Sequence, residues 1–310
     1  MKVLKQKVEK IVLFCKSYDK DMLRARRMAE SVHRFNADNI PLYISVPASD
    51  LNHFKQCFGN IPCHFITDEE ILSKSCQVYG PLPKLFPSDL LQQLIKLEFW
   101  RMGFCENYLW LDSDSYFIKT FHIADFFHDE TTPYTIQYLS EDLFGFAKRT
   151  NNKKIINDFQ KLAIHFQELF KRSGALYNFG SPPLIWSCNV LKSLYEDYLR
   201  PKNKTIFDLL QEYPCEMQLY GEYLLFSNTI PLVPVDPLFK FYHYAEQFFE
   251  EQMNGESEFS LSEKYLGVVM QSNWAKLPEP KKPPLVRLKN FFCKFGRQIN
   301  QGIRSIRKND

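Results

Sequence analysis

The sequence predicts an α/β fold on two observations: short apolar runs alternate with helix-periodic segments up to residue 67, and a fourth apolar run ends in a paired-aspartate loop. IVLFCKSY at 11–18 is a near-continuous apolar run, the pattern of a strand buried on both faces of a parallel sheet. From Asp21 to Phe35 the apolar residues Met22, Ala25, Ala29, Val32 and Phe35 recur at helical spacing. PLYISV at 41–46 is a second strand, a helix follows Ser49 and Asp50, and CHFIT at 63–67 is a third strand. This β-α-β-α-β order is that of a parallel sheet covered by helices.

YGPLPKLFPS at 79–88 is a Pro-rich loop. A helix then starts with Ser88 as N-cap and buries Leu91, Leu94, Ile95, Leu97 and Phe99. NYLWL is a short strand ending at DSDSYF, which puts Asp112 and Asp114 just beyond the carboxyl end of a sheet strand. Ligands gather there in open α/β sheets. The second half is less regular: helices over 152–172, 189–198 and Glu216 to Phe226, a Gly/Pro/aromatic loop over 174–187, a strand near 229–235 and the aromatic run at 239–249. We divide the chain into a nucleotide-binding half at 1–125, an acceptor-binding half at 126–278 and a tail at 279–310.

Charge is unevenly spread. Residues 281–310 hold nine Lys or Arg and one acidic residue, a net of +8, while the rest carries 30 basic and 35 acidic residues, a net of −5. After EPKKPP, the residues Leu285, Leu288, Phe292, Phe295, Ile299, Ile303 and Ile306 recur every three or four positions among basic residues. That pattern is a basic amphipathic helix, suited to an anionic membrane surface or to packing on the body. An acidic body without a recognition module argues against nucleic acid. The eight cysteines lack CxxC spacing and read as reduced. No signal peptide and no 18-residue apolar stretch is found, so the expected location is cytoplasmic, peripheral on the inner face of the inner membrane.

Two carboxylates one residue apart on a tight loop can share a hard divalent cation, and such a cation neutralises the charge of a departing diphosphate. LWLDSDSYF at 109–117 resembles the DxD signature of GT-A-fold glycosyltransferases. QQLIKLEFW at 92–100 is similar to the Q-x-x-x-K-L element that precedes DxD in bacterial transferases of lipopolysaccharide and capsule synthesis. GSPPLIWS at 180–187 and EMQLYGEY at 216–223 resemble that group as well, so the likeness touches most of 10–275. The resemblance implies a GT-A-like (Rossmann-like) nucleotide-sugar-binding fold with a mixed central sheet, a nucleoside-diphosphate sugar as donor, UDP-sugar foremost, and Mn²⁺ or Mg²⁺. It implies Asp112 and Asp114 as metal ligands with His243 as the third.

The resemblance also places the nucleoside on the loop of Ser17, Tyr18 and Asp19, with Tyr18 stacking on the base. Turn chemistry ahead of a helix explains the same three residues. Lys96 is expected to reach a phosphate or hold an aspartate, with Gln92 and Gln93 as weaker neighbours. Glu216 is the expected general base, with Glu222 as competitor and Asp114 as the third catalytic candidate. Gln271, Ser272, Asn273 and Trp274 form a loop able to close over the donor. Asn178, Gly180, Ser181, Pro182, Pro183, Trp186 and Ser187 are the expected acceptor wall, with Trp186 stacking on a sugar ring. The predicted activity is sugar transfer to a glycan or lipid-linked glycan in surface polysaccharide synthesis. The alternatives are a membrane-peripheral glycan-binding protein and a metal-dependent nucleotidyltransferase.

Overall fold

The computed structural model describes residues 7–138 and 141–271; Ser272, Asn273, Trp274 and the basic tail lie outside the described residues. The first layer is β1 (Glu9–Lys16), α1 (Met22–Phe35), β2 (Leu42–Val46), α2 (Leu51–Phe58), β3 (His64–Thr67) and α3 (Asp68–Tyr79). Then come α4 (Ser88–Glu98), β4 (Cys105–Leu111), β5 (Ser115–Phe117), β6 (Tyr134–Ile136), α5 (Glu141–Arg149), α6 (Lys153–Leu169) and β7 (Leu184–Ser187). The remainder is α7 (Cys188–Ser193), α8 (Ile206–Glu212), α9 (Glu216–Ser227), β8 (Val233–Val235), β9 (Phe239–Tyr242), α10 (Ala245–Met253), α11 (Glu258–Lys264) and β10 (Gly267–Met270).

The central sheet runs β3-β2-β1-β4-β7. Its first four strands are parallel, and β7 is antiparallel to β4. The fold is therefore α/β with a mixed central sheet. A three-stranded sheet, β5-β10-β9, joins residues from both halves of the chain, with β5 antiparallel and β9 parallel to β10. Two apolar cores flank the central sheet. Val12, Phe14, Tyr108 and Trp110 point into one, whereas Leu13, Cys15, Leu109 and Leu111 point into the other. This period-2 alternation with apolar residues on both sides is why the strands read as unbroken apolar runs.

Local chemistry sets the element ends. Thr67 caps α3 in a reciprocal box with Glu70. Ser88 is the first residue of α4, and Pro87 occupies the cap position assigned to Ser88. The loop expected over 174–187 ends four residues early, because LIWS pairs with β4 as β7. Seven cysteines lie among the described residues and all are free. No helix among the described residues is long and apolar enough to cross a membrane.

Candidate functional site

The site is built where β1 and β4 end side by side. Phe14 pairs with Trp110 and Cys15 with Leu111, so the loops Ser17–Asp19 and Asp112–Asp114 leave the sheet together. A hydroxyl pair joins them: Ser113 Oγ donates to Ser17 Oγ at 2.9 Å. Ser17 is also fixed through its N–H to Ser45 O. The aspartate loop is closed by Ser115, whose N–H and Oγ both donate to Asp112 O. Cys15 lies beneath, its Sγ 3.8 Å from Ser113 Oγ, and burial pushes its thiol up to about 12, so it stays protonated at neutral pH.

Lys96 organises the carboxylates. It sits near the end of α4, which is held to β4 by Tyr108 Oη donating to Lys96 O. Its Nζ donates to Asp112 Oδ1 at 3.0 Å and to Glu216 Oε1 at 3.4 Å, and it lies 3.9 Å above the Trp110 ring centroid. Burial opposes the charge on Lys96, and the attraction of Asp112 and Glu216 overrides it, so the ammonium is held above its ordinary pKa. Glu216 opens α9 and is buried, whereas the Asp112 side chain keeps 34% of its surface exposed. The arrangement is one ammonium between two carboxylates, one of them open to incoming ligands.

The small sheet completes the surroundings of Asp114. Met270 N–H donates to Asp114 O, and Met270 pairs with Tyr242 on β9. Asp114, Gln271 and His243 therefore lie at one end of that sheet, with Asp114 and His243 two strand spacings apart, roughly 10 Å. The His243 ring packs against Phe241, and the His243 backbone N–H donates to Gln247 Oε1. Among the described residues, no three His, Cys, Asp or Glu side chains converge on one metal position. Asp112 and Asp114 alone still suit a hard cation that takes one or two carboxylates and completes its shell from substrate phosphates.

Other expected residues divide sharply. Tyr18 is 45% exposed, with its ring open to a ligand, and Asp19 donates its N–H to Asp50 Oδ2. Gln92 is exposed; Gln93 is half-buried, and its Oε1 meets no partner among the described residues. Gly180 N–H donates to Asn178 Oδ1, and Ser181 Oγ meets Tyr138 Oη at 2.5 Å. Leu184 pairs antiparallel with Trp110, so β7 begins beside the end of β4.

Three of the expected acceptor-side and catalytic residues, Trp186, Ser187 and Glu222, are buried. Trp186 is 1% exposed, stacked on Tyr220 and edge-on to Trp110, and presents no face to a sugar. Ser187 is buried as well, and its backbone N–H donates to Tyr220 Oη. Glu222 is fully buried in a two-pronged pair with Arg172, at 2.6 and 2.7 Å, and acts as a brace between α9 and the segment after α6. Gln218 extends that brace to Tyr177 O. Sequence reading missed Ser113 and Trp110. A small hydroxyl between the aspartates and an indole two residues before the first were the available signals.

No protein-family model matches the chain, and no curated protein matches it. Solved structures do match at low identity. Mouse xyloside xylosyltransferase 1 in its apo form shares 10% identity at a TM-score of 0.47 over 87% of this chain and 100% of that one. The apo WbbM bifunctional glycosyltransferase shares 10% at 0.48 over 86% of this chain and 46% of that one, so this chain spans less than half of WbbM. Galactosyltransferase LgtC, in complex with donor and acceptor sugar analogues, shares 12% at 0.46 over 90% of this chain and 94% of that one.

Proposed function

We propose that this chain is a metal-dependent glycosyltransferase that moves a sugar from a nucleoside-diphosphate sugar to a glycan hydroxyl. The observation that carries the reading is the linked set Asp112–Lys96–Glu216 at the carboxyl end of β4, with Asp112 open to solvent. Asp112 and Asp114 would hold Mn²⁺ or Mg²⁺, which when bound neutralises the charge of the departing diphosphate. Tyr18 offers an exposed ring for the base, and a UDP-sugar is the donor we favour.

Lys96 has two tasks. Its fixed charge keeps Asp112 in place before substrate arrives, and it adds a second positive centre beside the diphosphate as negative charge builds up. Glu216 receives the proton of the attacking hydroxyl; its 3.4 Å contact with Lys96 aims the carboxylate and leaves its remaining acceptor positions available. The acceptor approaches from the side of Ser181 and Asn178. Surface polysaccharide or lipopolysaccharide assembly on the cytoplasmic face of the inner membrane is the setting we assign, on the likeness of the Q-x-x-x-K-L helix and of 180–187 and 216–223.

The test is calorimetric titration of the full chain with a panel of nucleoside diphosphates and their sugars, with and without Mn²⁺. One nucleotide is expected to bind only with the cation, and Asp112→Asn is expected to lose that dependence. Absence of nucleotide binding across the panel by folded, manganese-supplied protein would overturn the reading.

A further inference from the structure

A cleft of about 810 Å³ opens along β9, away from the aspartates. One wall holds Ser181 and Tyr138, whose hydroxyls are hydrogen-bonded to each other. Ser181 has φ +82°, a left-handed backbone that a serine adopts only when its surroundings enforce it. The opposite wall is a free sheet edge, because β9 is the outer strand of its sheet.

The hydrogen-bond pattern identifies which groups the edge offers. On the β5 side, Ile118 N–H donates to Leu266 O and Met270 N–H donates to Asp114 O, while on the other side Leu266 N–H donates to Leu238 O just ahead of β9. Gly267 and Val269 are left to serve β9, so Phe239 and Phe241 direct their own N–H and C=O groups outward into the cleft. No turn, loop or cap bond among the described residues uses these four groups. Unpaired backbone groups are costly unless water or a ligand satisfies them. At the far end stand Asp236 and Lys264, both exposed and neither ion-paired with another described residue. Tyr265 sits between them and the strand.

Alternating donors and acceptors on the edge, a fixed hydroxyl pair opposite, a carboxylate and an ammonium without ion-pair partners among the described residues, and two tyrosine rings suit a hydroxyl-rich ligand. The cleft also has a direction. Phe241 is in register with Val269, which pairs with Ser115 beside the aspartate loop, and from Phe241 to Leu238 the cleft leads away from that loop over about 10 Å at ~3.3 Å per residue. A ligand with one unit at the reaction site therefore reaches further units to Asp236 and Lys264. We propose that this cleft binds the non-reacting stretch of an oligosaccharide, so that the chain extends a glycan of several units and does not act on a free monosaccharide. The proposal rests on the transferase reading above for the role of the bound glycan, but not for its binding.

The experiment uses full-length protein on an array of defined oligosaccharides of one to six residues, with nucleotide binding scored separately. Binding is expected to rise at least tenfold from mono- to trisaccharide for the preferred series. The Asp236→Ala/Lys264→Ala variant is expected to lose that gain. Independently of any variant, the preferred oligosaccharide is expected to slow hydrogen exchange at the Phe239 and Phe241 amides. Glycan binding without nucleotide binding would uphold the cleft and sink the transferase reading. Nucleotide binding with no glycan signal, or with binding indifferent to length, would overturn the cleft. Protection of the two amides by an extended peptide in place of a glycan would overturn it too, in favour of strand addition.

Discussion

Two buried lysines stand at the same end of the central sheet, and their surroundings differ in one respect. Lys16 pairs with Asp68 at 2.8 Å, with both side chains nearly closed to solvent, and Ser45 Oγ donates to the other Asp68 oxygen. Lys96 pairs with Asp112, whose side chain is one-third exposed, and holds a second carboxylate, Glu216, behind it. The first cluster is sealed and each charge has its partner. The second is open on one side, so a ligand can exchange contacts with it. Equivalent ion-pair chemistry is thus closed to solvent in one place and open to it in the other.

The comparison can be broken by removing each lysine. Lys96→Met is expected to abolish transfer and cation-dependent nucleotide binding, because Asp112 and Glu216 are left facing each other without the charge between them; turnover assays and calorimetry check this. Lys16→Met is expected to act on stability, by about 3–5 kcal/mol, since an unpaired Asp68 stays buried. Lys16→Met/Asp68→Leu should recover much of that loss in urea unfolding, and transfer per folded molecule should survive in both. If Lys16→Met left stability untouched, the closed pair would have no structural role.

The two glutamates of α9 sharpen the same contrast. Glu216→Gln is expected to lower kcat roughly 10²-fold or more with little change in KM for donor. Glu222→Gln is expected to leave kcat near wild type and to destabilise the fold by about 1–3 kcal/mol, as Arg172 loses its charged partner. Equal kcat losses in the two variants would deny Glu216 a distinct role. The smallest effect concerns pH. Burial raises the Asp68 carboxyl above its ordinary value near 3.8, with Lys16 and Ser45 acting against it. Between 3.8 and that raised value the folded state binds more proton than the unfolded one, so this group's contribution to stability falls as pH rises through the window. Asp68→Asn should flatten that slope in denaturant titrations.

Much of the first sheet was legible because β1, β2, β3 and β4 are apolar on both faces and sit between helix-periodic segments. The aspartates were legible for the same reason: a strand that ends in charge marks the sheet's carboxyl edge. What stayed hidden depends on pairing between distant residues. LIWS looks like part of a Pro-rich loop until β4 provides a partner, and only then is Trp186 core rather than sugar platform. Glu216 and Glu222 look alike on a helix, and only Lys96 and Arg172, distant in sequence, tell them apart. The cleft beside β9 has no local motif, since its walls come from Ser181, Tyr138 and the outward backbone of two phenylalanines.

The bond from Met270 to Asp114 has a consequence for biosynthesis. The aspartate loop is made early and its last fastening late, so a nascent chain carries its paired carboxylates through most of translation without the strand that anchors them. Domains fold as their segments emerge, N-terminal parts first. Until β10 inserts between β5 and β9, the first of those strands has no neighbour and remains an open edge to be shielded. A ribosome stalled before residue 270 would thus display a central sheet whose aspartate loop is not yet secured.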